Sequence, residues 1–419
     1  MMTKISIIMP VYNGSQFLEK SIETVSNQTL KDVELICVDD GSDDDSLEVL
    51  NSLSERFSFV KVFSQENQGS GKARNAGMKK ASGEYIAFLD ADDIFIDSQS
   101  LEKMYEIAKD NDANIVSSNL QFVEKNYKLK ENPHYGLGDY KEFDDYGFIL
   151  PEDYGIPYAF YKSIFKREFL IRHEIDFPDL IRGQDPIFLA KALANCGKVY
   201  TTPLDFYGYN YSIGGGVNVK INDYRKKLSY IQHFKYTCDV LSEGGLIETS
   251  ETYKTHFAKY LYWGENSLDK DLYLIYDKVV GMKSDFFDKN DRFFQQFYVG
   301  SSAFFVFQED SEEYFEEVKQ ELSQMKVSDK FNSTYCFNLL VMFLQSDSLE
   351  EFKSKYHKEE VRLLKEKNEF LIDKREKLTN IYESLQKESE ELEELNESLR
   401  NSSSWRMTRP LRKVMKVIR

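Results

Sequence analysis

Three clusters of acidic and polar residues each follow a short apolar run directly. Pro10-Val11-Tyr12-Asn13 follows ISIIM, Asp39-Asp40-Gly41-Ser42 follows ELICV, and Asp90-Ala91-Asp92-Asp93 follows YIAFL. Carboxylates gathered at strand ends repel one another and raise one another's pKa. Packing alone does not offset that cost, whereas a divalent cation does. A donor set of carboxylates with few soft ligands nearby selects Mg²⁺ or Mn²⁺. A fourth segment, Gly69-Ser70-Gly71-Lys72-Ala73-Arg74-Asn75-Ala76-Gly77, opens an expected helix. Its glycines allow close backbone approach, and its Lys and Arg at a helix start favour anions. An acidic metal site beside a basic helix start suits a metal-bridged diphosphate ligand. The GxxxxGK[ST] order of a P-loop is absent, and no GxGxxG follows the first strand.

Elements must bring these clusters together. Apolar runs and amphipathic stretches alternate over residues 1–120. The pattern predicts strands at Ile5–Met9, Glu34–Val38, Val60–Phe63 and Tyr85–Leu89. It predicts helices at Gln16–Gln28 (with Phe17, Ile22 and Val25 on one side), Leu47–Phe57 and Gly71–Lys80. Strands alternating with helices imply βαβ crossovers and a mostly parallel sheet, and ligands of such sheets bind beyond the carboxyl ends of the strands. Residues 121–235 read as irregular and rich in Tyr, Gly and Pro. Residues 236–350 read as helical, with Phe293, Phe294, Phe297, Phe304 and Phe305 at core spacing.

The motifs PVYN at 10–13, VDDGS at 38–42, ENQGSGKARNAG at 66–77 and FLDADD at 88–93 resemble those of inverting family-two glycosyltransferases with the GT-A fold. FKREFL at 165–170 and FPDLIRGQD at 177–185 resemble that family's acceptor-side helix and catalytic acidic motif. The likeness covers roughly residues 3–240 and is of the branch that builds bacterial and archaeal surface glycans. It implies a mixed, mostly parallel sheet flanked by helices. It also implies roles, residue by residue. Tyr12 stacks on the nucleotide base, and Asp39 accepts the base N–H, with Asp40 the other candidate. Pro10, Arg74, Asp90 and Ala91 line the donor, and Asp92 ligates Mn²⁺ or Mg²⁺ between the phosphates. Asp185 is the general base, taking a proton from an acceptor hydroxyl during one in-line displacement. The implied donor is a UDP-sugar and the implied acceptor a glycan or a lipid-linked hydroxyl. Two positions depart from the family pattern. Gln184 stands where Glu is usual, and Asn210, closing Tyr207-Gly208-Tyr209-Asn210, stands where Arg is frequent. Gly214-Gly215-Gly216 reads as a lid or a plain turn, and His233 as a structural residue or a further metal ligand. Tyr146 to Tyr161 read as a sugar-stacking platform or a buried layer.

Composition bounds the rest. The chain has 419 residues and a net charge of −17, which argues against a body that wraps nucleic acid. Its 41% apolar content excludes a disordered chain. Four dispersed cysteines exclude a disulfide scaffold and fit a reducing compartment. No export signal or bilayer-spanning run is seen, so the expected location is the cytoplasm, with peripheral contact at its membrane face. Leu364, Leu371, Leu378, Leu385, Leu392 and Leu399 recur every seven residues. This heptad predicts a coiled coil and a homo-oligomer, a dimer first, through residues 361–399; the alternatives are a single solvated helix or one packed back on its own domain. Trp405–Arg419 carries six basic residues and no acidic one, which suits an anionic membrane or the protein's own acidic surface. The expected domains are therefore a transferase at 1–235, a helical domain at 236–350, a coiled coil at 351–400 and a basic tail at 401–419. A scaffold that tethers a glycan-assembly complex is the competing function. A sugar-nucleotide pyrophosphorylase is disfavoured, because its glycine-rich first loop is missing.

Overall fold

The computed structural model describes residues 2–130, 141–210, 223–263, 266, 269–326 and 334–401. The chain opens with β1 (Ile5–Val11), α1 (Ser15–Ser26), β2 (Val33–Asp39), α2 (Ser46–Arg56), β3 (Val60–Ser64), α3 (Ser70–Lys80) and β4 (Tyr85–Phe88). Each lies within two residues of its expected bounds. Next come β5 (Ile94–Phe95), α4 (Ser100–Asp110), β6 (Ile115–Val123), β7 (Gly147–Ile149), β8 (Ser163–Lys166), α5 (Arg167–Arg172), α6 (Gln184–Cys196) and β9 (Val199–Asn210). Helices complete the chain: α7 (Tyr224–Glu243), α8 (Ile247–Tyr262), α9 (Lys270–Val279), α10 (Phe294–Glu309), α11 (Glu312–Ser323), α12 (Thr334–Gln345) and α13 (Leu349–Asn401).

The strands form one mixed sheet in the order β3-β2-β1-β4-β8-β6-β9-β5, with β7 also on β9. β1 to β4 are parallel neighbours joined by helical crossovers, and most paired residues lie in parallel ladders. β1 is buried along its whole length, as a strand covered on both faces must be. Pro10 is tolerated there because β4 stops opposite Ile8, leaving β2 as the neighbour at Pro10. The chain runs outward through β2 and β3, then returns to the other side of β1 as β4. That reversal creates a crevice at the carboxyl ends of β1, β2 and β4.

Among the described residues of 121–235, the expected irregularity gives way to strands and helices. β9 spans 12 residues and was hidden in the sequence by Pro203 and Gly208, which break the strand pattern. The ladder with β6 shifts register where β9 passes Pro203, between Thr201 and Asp205. The inner stripe of α1 is Leu18, Ser21, Ile22 and Val25, with Leu18 in place of the expected Phe17. Below the crevice, Phe88 meets Phe160, Phe165, Phe177 and Phe188 edge to face at 5.0–6.1 Å. Such pairs contribute about 0.5–1.5 kcal/mol each beyond their buried area.

The chain divides into two compact units: Met1–Phe304 with Met325–Ser333, and Phe305–Gln324 with Thr334–Arg419. The boundary read at 235 falls inside α7, a continuous helix whose buried stripe includes Ile231, His233, Phe234, Thr237 and Cys238. In the first unit, Phe257, Tyr276, Phe287, Phe294 and Phe297 form an aromatic core. The second unit centres on Phe315, Phe343 and Phe352, with Phe343 stacked on Phe352 at 4.1 Å. α13 is one helix of 53 residues. Its Val361, Leu378 and Tyr382 are exposed. Among the described residues no helix is long and apolar enough to cross a membrane. The glycines at 214–216 and the tail at 402–419 lie outside the described residues.

Candidate active site

The crevice collects the strand-end clusters. Asn13 follows β1 with φ of +51°. Its N–H donates to Ser42 Oγ at 3.0 Å, and its own Oδ1 accepts Asp43 N–H at 2.8 Å. Asp44 accepts Ser15 N–H at 3.1 Å, and its hydroxyl and backbone partners outweigh desolvation and bring its carboxyl down to about 2. The loops after β1 and β2 are thus locked together, which gives Asn13, Ser42 and Asp44 structural duties. Tyr12, in the same turn, stays 51% exposed, so its ring is available at the mouth of the crevice.

The two candidates for the base contact differ in what they already bind. Asp40 is buried and accepts Gln65 Nε2 at 2.7 Å, Gln68 N–H at 2.9 Å and Gly69 N–H at 2.7 Å. It anchors the loop that leads into α3. Asp39 is equally buried and, among the described residues, takes only Ser64 Oγ at 3.3 Å on Oδ2 and has Oδ1 without a partner. A buried acceptor without a donor is costly and is suited to receive an N–H from a ligand.

Arg74 lies at the centre. It is almost fully buried, and its guanidinium lies 5.0 Å from the Phe160 ring and 5.3 Å from the Phe177 ring. Nη2 donates to Asp90 Oδ1 at 2.7 Å and Nη1 to Asp185 Oδ1 at 3.4 Å. Burial opposes its charge, but Asp90 and Asp185 raise its pKa beyond the usual arginine value. One cation therefore joins the turn after β4 to the start of α6. Lys72, the other basic residue of this helix start, pairs with Asp179 at 3.0 Å.

β9 clamps the 90–93 turn. Tyr207 Oη donates to Asp93 Oδ2 at 2.7 Å and accepts Asp90 N–H at 3.1 Å, while Asn210 N–H donates to Asp93 Oδ1 at 2.7 Å. Burial, then the charges of Asp92 and Asp90, push the Asp93 carboxyl well up. Asp92 is raised to about 6, by burial and by Asp90. Ala91 packs close to Gly14, where an added Cβ would stand 3.4 Å from the Ala91 Cβ. Asn210 is thus a backbone clamp on Asp93.

Asp185 occupies the first turn of α6, where the helix dipole favours a carboxylate. Its side chain is 39% exposed, but surrounding protein crowds the carboxyl. Burial there and the charge of Asp90 push its carboxyl up, and Arg74 pulls it down. Gln184 is buried and donates Nε2–H to the Leu180 carbonyl at 2.5 Å. A glutamate carboxylate has no hydrogen to donate there, which explains Gln at this position.

His233 joins no cluster of three metal-ligating side chains among the described residues. It is 2% exposed on α7, and burial brings its imidazole down to about 3, so it is neutral. Tyr154 and Tyr161 belong to the core, while Tyr146 is exposed. Residues to which the sequence analysis gave no individual role also shape the site: Tyr207 with Asp93, Phe160 and Phe177 under Arg74, and Asn75. The Asn75 amide binds both Phe177 O at 2.8 Å and Phe177 N–H at 2.9 Å. The Asn in ARNAG and the Tyr of YGYN were visible signals, but neither spacing reveals a partner over a hundred residues away.

Among the described residues no three His, Cys, Asp or Glu side chains converge as a metal cage. The crowded pair Asp90 and Asp92 fits a different coordination, in which Mg²⁺ or Mn²⁺ takes one or two carboxylates and completes its shell with substrate phosphates. Burial first, and then the charge of Asp90, raise the Asp92 carboxyl, and a bound cation would offset both.

Comparison with known proteins bears on the family and the fold. The family model described as "Glycosyl transferase family 2" matches residues 6–169. The cholesterol galactosyltransferase of Borreliella burgdorferi is 30% identical over 272 residues, covering 62% of this chain and 74% of that protein. The chain belongs to glycosyl transferase family 2. The transferase is also 32% identical over 215 residues to the poly(ribitol-phosphate) beta-glucosyltransferase of Bacillus spizizenii, covering 49% of this chain but only 32% of that longer protein. Its fold is that of S. aureus TarS, whose crystal structure in complex with UDP superposes with a TM-score of 0.51 at 18% identity, over 74% of this chain and 92% of that one. The transferase therefore has the GT-A fold, followed by a helical region. The family-model match ends before Asp185.

Proposed function

We propose that this transferase moves a hexose from a UDP-sugar to a hydroxyl of a surface glycan or lipid-linked acceptor, with inversion at the anomeric carbon. The observation that carries the reading is Arg74, which reaches Asp90 on the donor side and Asp185 on the acceptor side from one guanidinium. In this reading Asp39 Oδ1 accepts the imide N–H of the base and Tyr12 stacks on the ring. Pro10, Asp40 and Ala91 shape the donor cleft, and Asp90 lies against ribose or sugar. Asp92 would hold Mn²⁺ or Mg²⁺, which as a Lewis acid stabilises charge on the departing diphosphate. Asp185 Oδ takes the proton of the acceptor hydroxyl as that oxygen attacks the face opposite the diphosphate. The named relatives, a galactosyl- and a glucosyltransferase, support a hexose donor. The UDP held by the structural neighbour supports the nucleotide.

The test is turnover by Asp185→Asn. Nucleotide binding should persist while kcat falls about a hundredfold or more, the scale of general-base catalysis. In the wild type, kcat should fall with decreasing pH above the ordinary carboxylate range, because the base must be ionised and its pKa is raised. Wild-type turnover by Asp185→Asn would remove the assignment.

A tethering role for residues 361–419 is carried by one observation. α13 continues as a helix to Asn401 with Val361, Leu378 and Tyr382 exposed, positions a second copy would cover in a two-stranded coiled coil. In this reading the transferase self-associates through α13, at the cytoplasmic face of a membrane.

A further inference from the structure

The direction of the Asp185 side chain depends on how the chain enters α6, and that entry is held by a helix with no role in the reading above. We propose that Ser229 and His233 of α7 are positioning residues for Asp185; the inference rests on the reading of Asp185 as general base. Ser229 Oγ accepts Arg182 N–H at 2.9 Å and donates to Arg182 O at 2.9 Å. One hydroxyl can do both at once. It thereby grips the N–H and the carbonyl of the residue three before Asp185. The serine is 3% exposed, so water does not compete for either bond.

Gly183 comes next and caps α6 with φ of +78°, a conformation that side chains other than glycine's disfavour. Its backbone lies flush on the imidazole of His233. A Cβ built there would stand 2.3 Å from His233 Cγ and 2.7 Å from Nδ1. The imidazole cannot yield, because Tyr230 and Phe234 flank it with ring centroids at 4.5 Å and 4.2 Å. α7 is itself pinned at its first turn, where Lys227 pairs with Asp269 at 2.6 Å and Asp271 at 3.1 Å. A polar clamp at 182 and a steric stop at 183 therefore aim the first turn of α6, and with it Asp185 toward Arg74. A base must be held close to its productive geometry, and a misplacement of about 1 Å from remote mutation can cost about a hundredfold in rate.

The test uses the purified full chain with Mn²⁺ and four probes: UDP-glucose, UDP-galactose, UDP-GlcNAc and GDP-mannose. Nucleotide release is followed with whichever donor the wild type turns over. Ser229→Ala should lower kcat about tenfold to a hundredfold. Donor KM and affinity for the matching nucleoside diphosphate should stay within about twofold, and Ser229→Thr, which keeps the hydroxyl, should regain most of the rate. Gly183→Ala, which drives a methyl into His233, should show the same split. Ser242→Ala removes a hydroxyl pair with Ser250 further along the same helix and should leave kcat unchanged. If Ser229→Ala does not fold, Ser229→Cys, a weak donor and acceptor of similar size, takes its place. Unchanged kcat in Ser229→Ala and Gly183→Ala, or an equal loss of rate and nucleotide affinity, would overturn the proposal. Asp185→Asn, run in parallel, separates the two layers. Full activity there, or a wild type that releases nucleotide from none of the probes, removes the base reading itself. An inactive Asp185→Asn beside a fully active Ser229→Ala removes only the positioning.

Discussion

A guanidinium buried between two carboxylates and two aromatic rings has its Nη atoms held by the protein, while its Nε–H is left without a partner among the described residues. Arg74 therefore acts here as a strut, neutralising Asp90 and Asp185 in a place where either charge alone would be costly. The same logic separates neighbouring aspartates of the DADD turn. Asp93 is consumed by Tyr207 and Asn210, whereas the Asp92 carboxyl is raised to about 6 by burial and by the charge of Asp90. At Gln184 the chemistry can be tested directly. Gln184→Glu turns the donor facing the Leu180 carbonyl into a second acceptor and buries a charge beside Asp185. It should lower stability by about 1–3 kcal/mol in urea unfolding. An unchanged midpoint would mean that the Gln184–Leu180 bond contributes nothing.

At the scale of elements, the site is a product of where strands stop and how closely helices approach them. α3 must lie tight on β1 for Arg74 to reach the crevice, and Gly77 makes that possible. A Cβ at Gly77 would stand 2.6 Å from Ile8 Cγ2 and 3.4 Å from Val38 Cγ2. Gly77→Ala gains helix propensity of about 1 kcal/mol, but overpacking against β1 costs about 1–3 kcal/mol. The variant should be no more stable than the wild type by thermal unfolding, and nucleotide binding should weaken as α3 is pushed outward. A rise in melting temperature would refute the close-packing argument. β9 makes the complementary contribution from the other side. Its irregular passage at Pro203 re-aims Tyr207 and Asn210 onto the 90–93 turn.

Across the whole molecule, stability and chemistry sit at opposite ends of the sheet. At the amino ends of the strands, Glu34 accepts Ser6 Oγ and Lys61 Nζ at 2.5 Å each, Ser82 N–H at 2.7 Å and Ser82 Oγ at 2.8 Å. Burial pushes its carboxyl up, but these donors outweigh it and bring it from 4.5 to about 2. A carboxylate depressed in the folded state stabilises the protein above its unfolded pKa. That contribution is lost as pH falls from 4.5 toward about 2. It amounts to about 3 kcal/mol, and Glu34→Gln should flatten the acid limb of unfolding stability measured across that range. The second unit sets where the chain can be cut. Phe352 is fully buried, stacked on Phe343, so removal of residues from 351 onward would open that core. Removal of 361–419 should instead leave a folded enzyme with unchanged soluble turnover and a lower mass by light scattering. If the two chains have the same oligomeric state, α13 is a solvated helix.

The alternation of apolar runs and amphipathic stretches was enough to locate β1 to β4 and α1 to α3, because a βαβ crossover is a local pattern with a local hydrophobic period. The strand-end aspartates were legible for the same reason: each directly follows its strand. The tertiary structure decided what those residues do for one another. Nothing in the sequence says that Arg74 spans Asp90 and Asp185, that Asp40 holds a loop while Asp39 is left with an open oxygen, or that a serine on α7 grips the approach to α6. Those relations join residues 16 to 111 positions apart, across a sheet whose order is not the order of the chain. They arise only when packing brings the elements together and each buried polar group must find a partner.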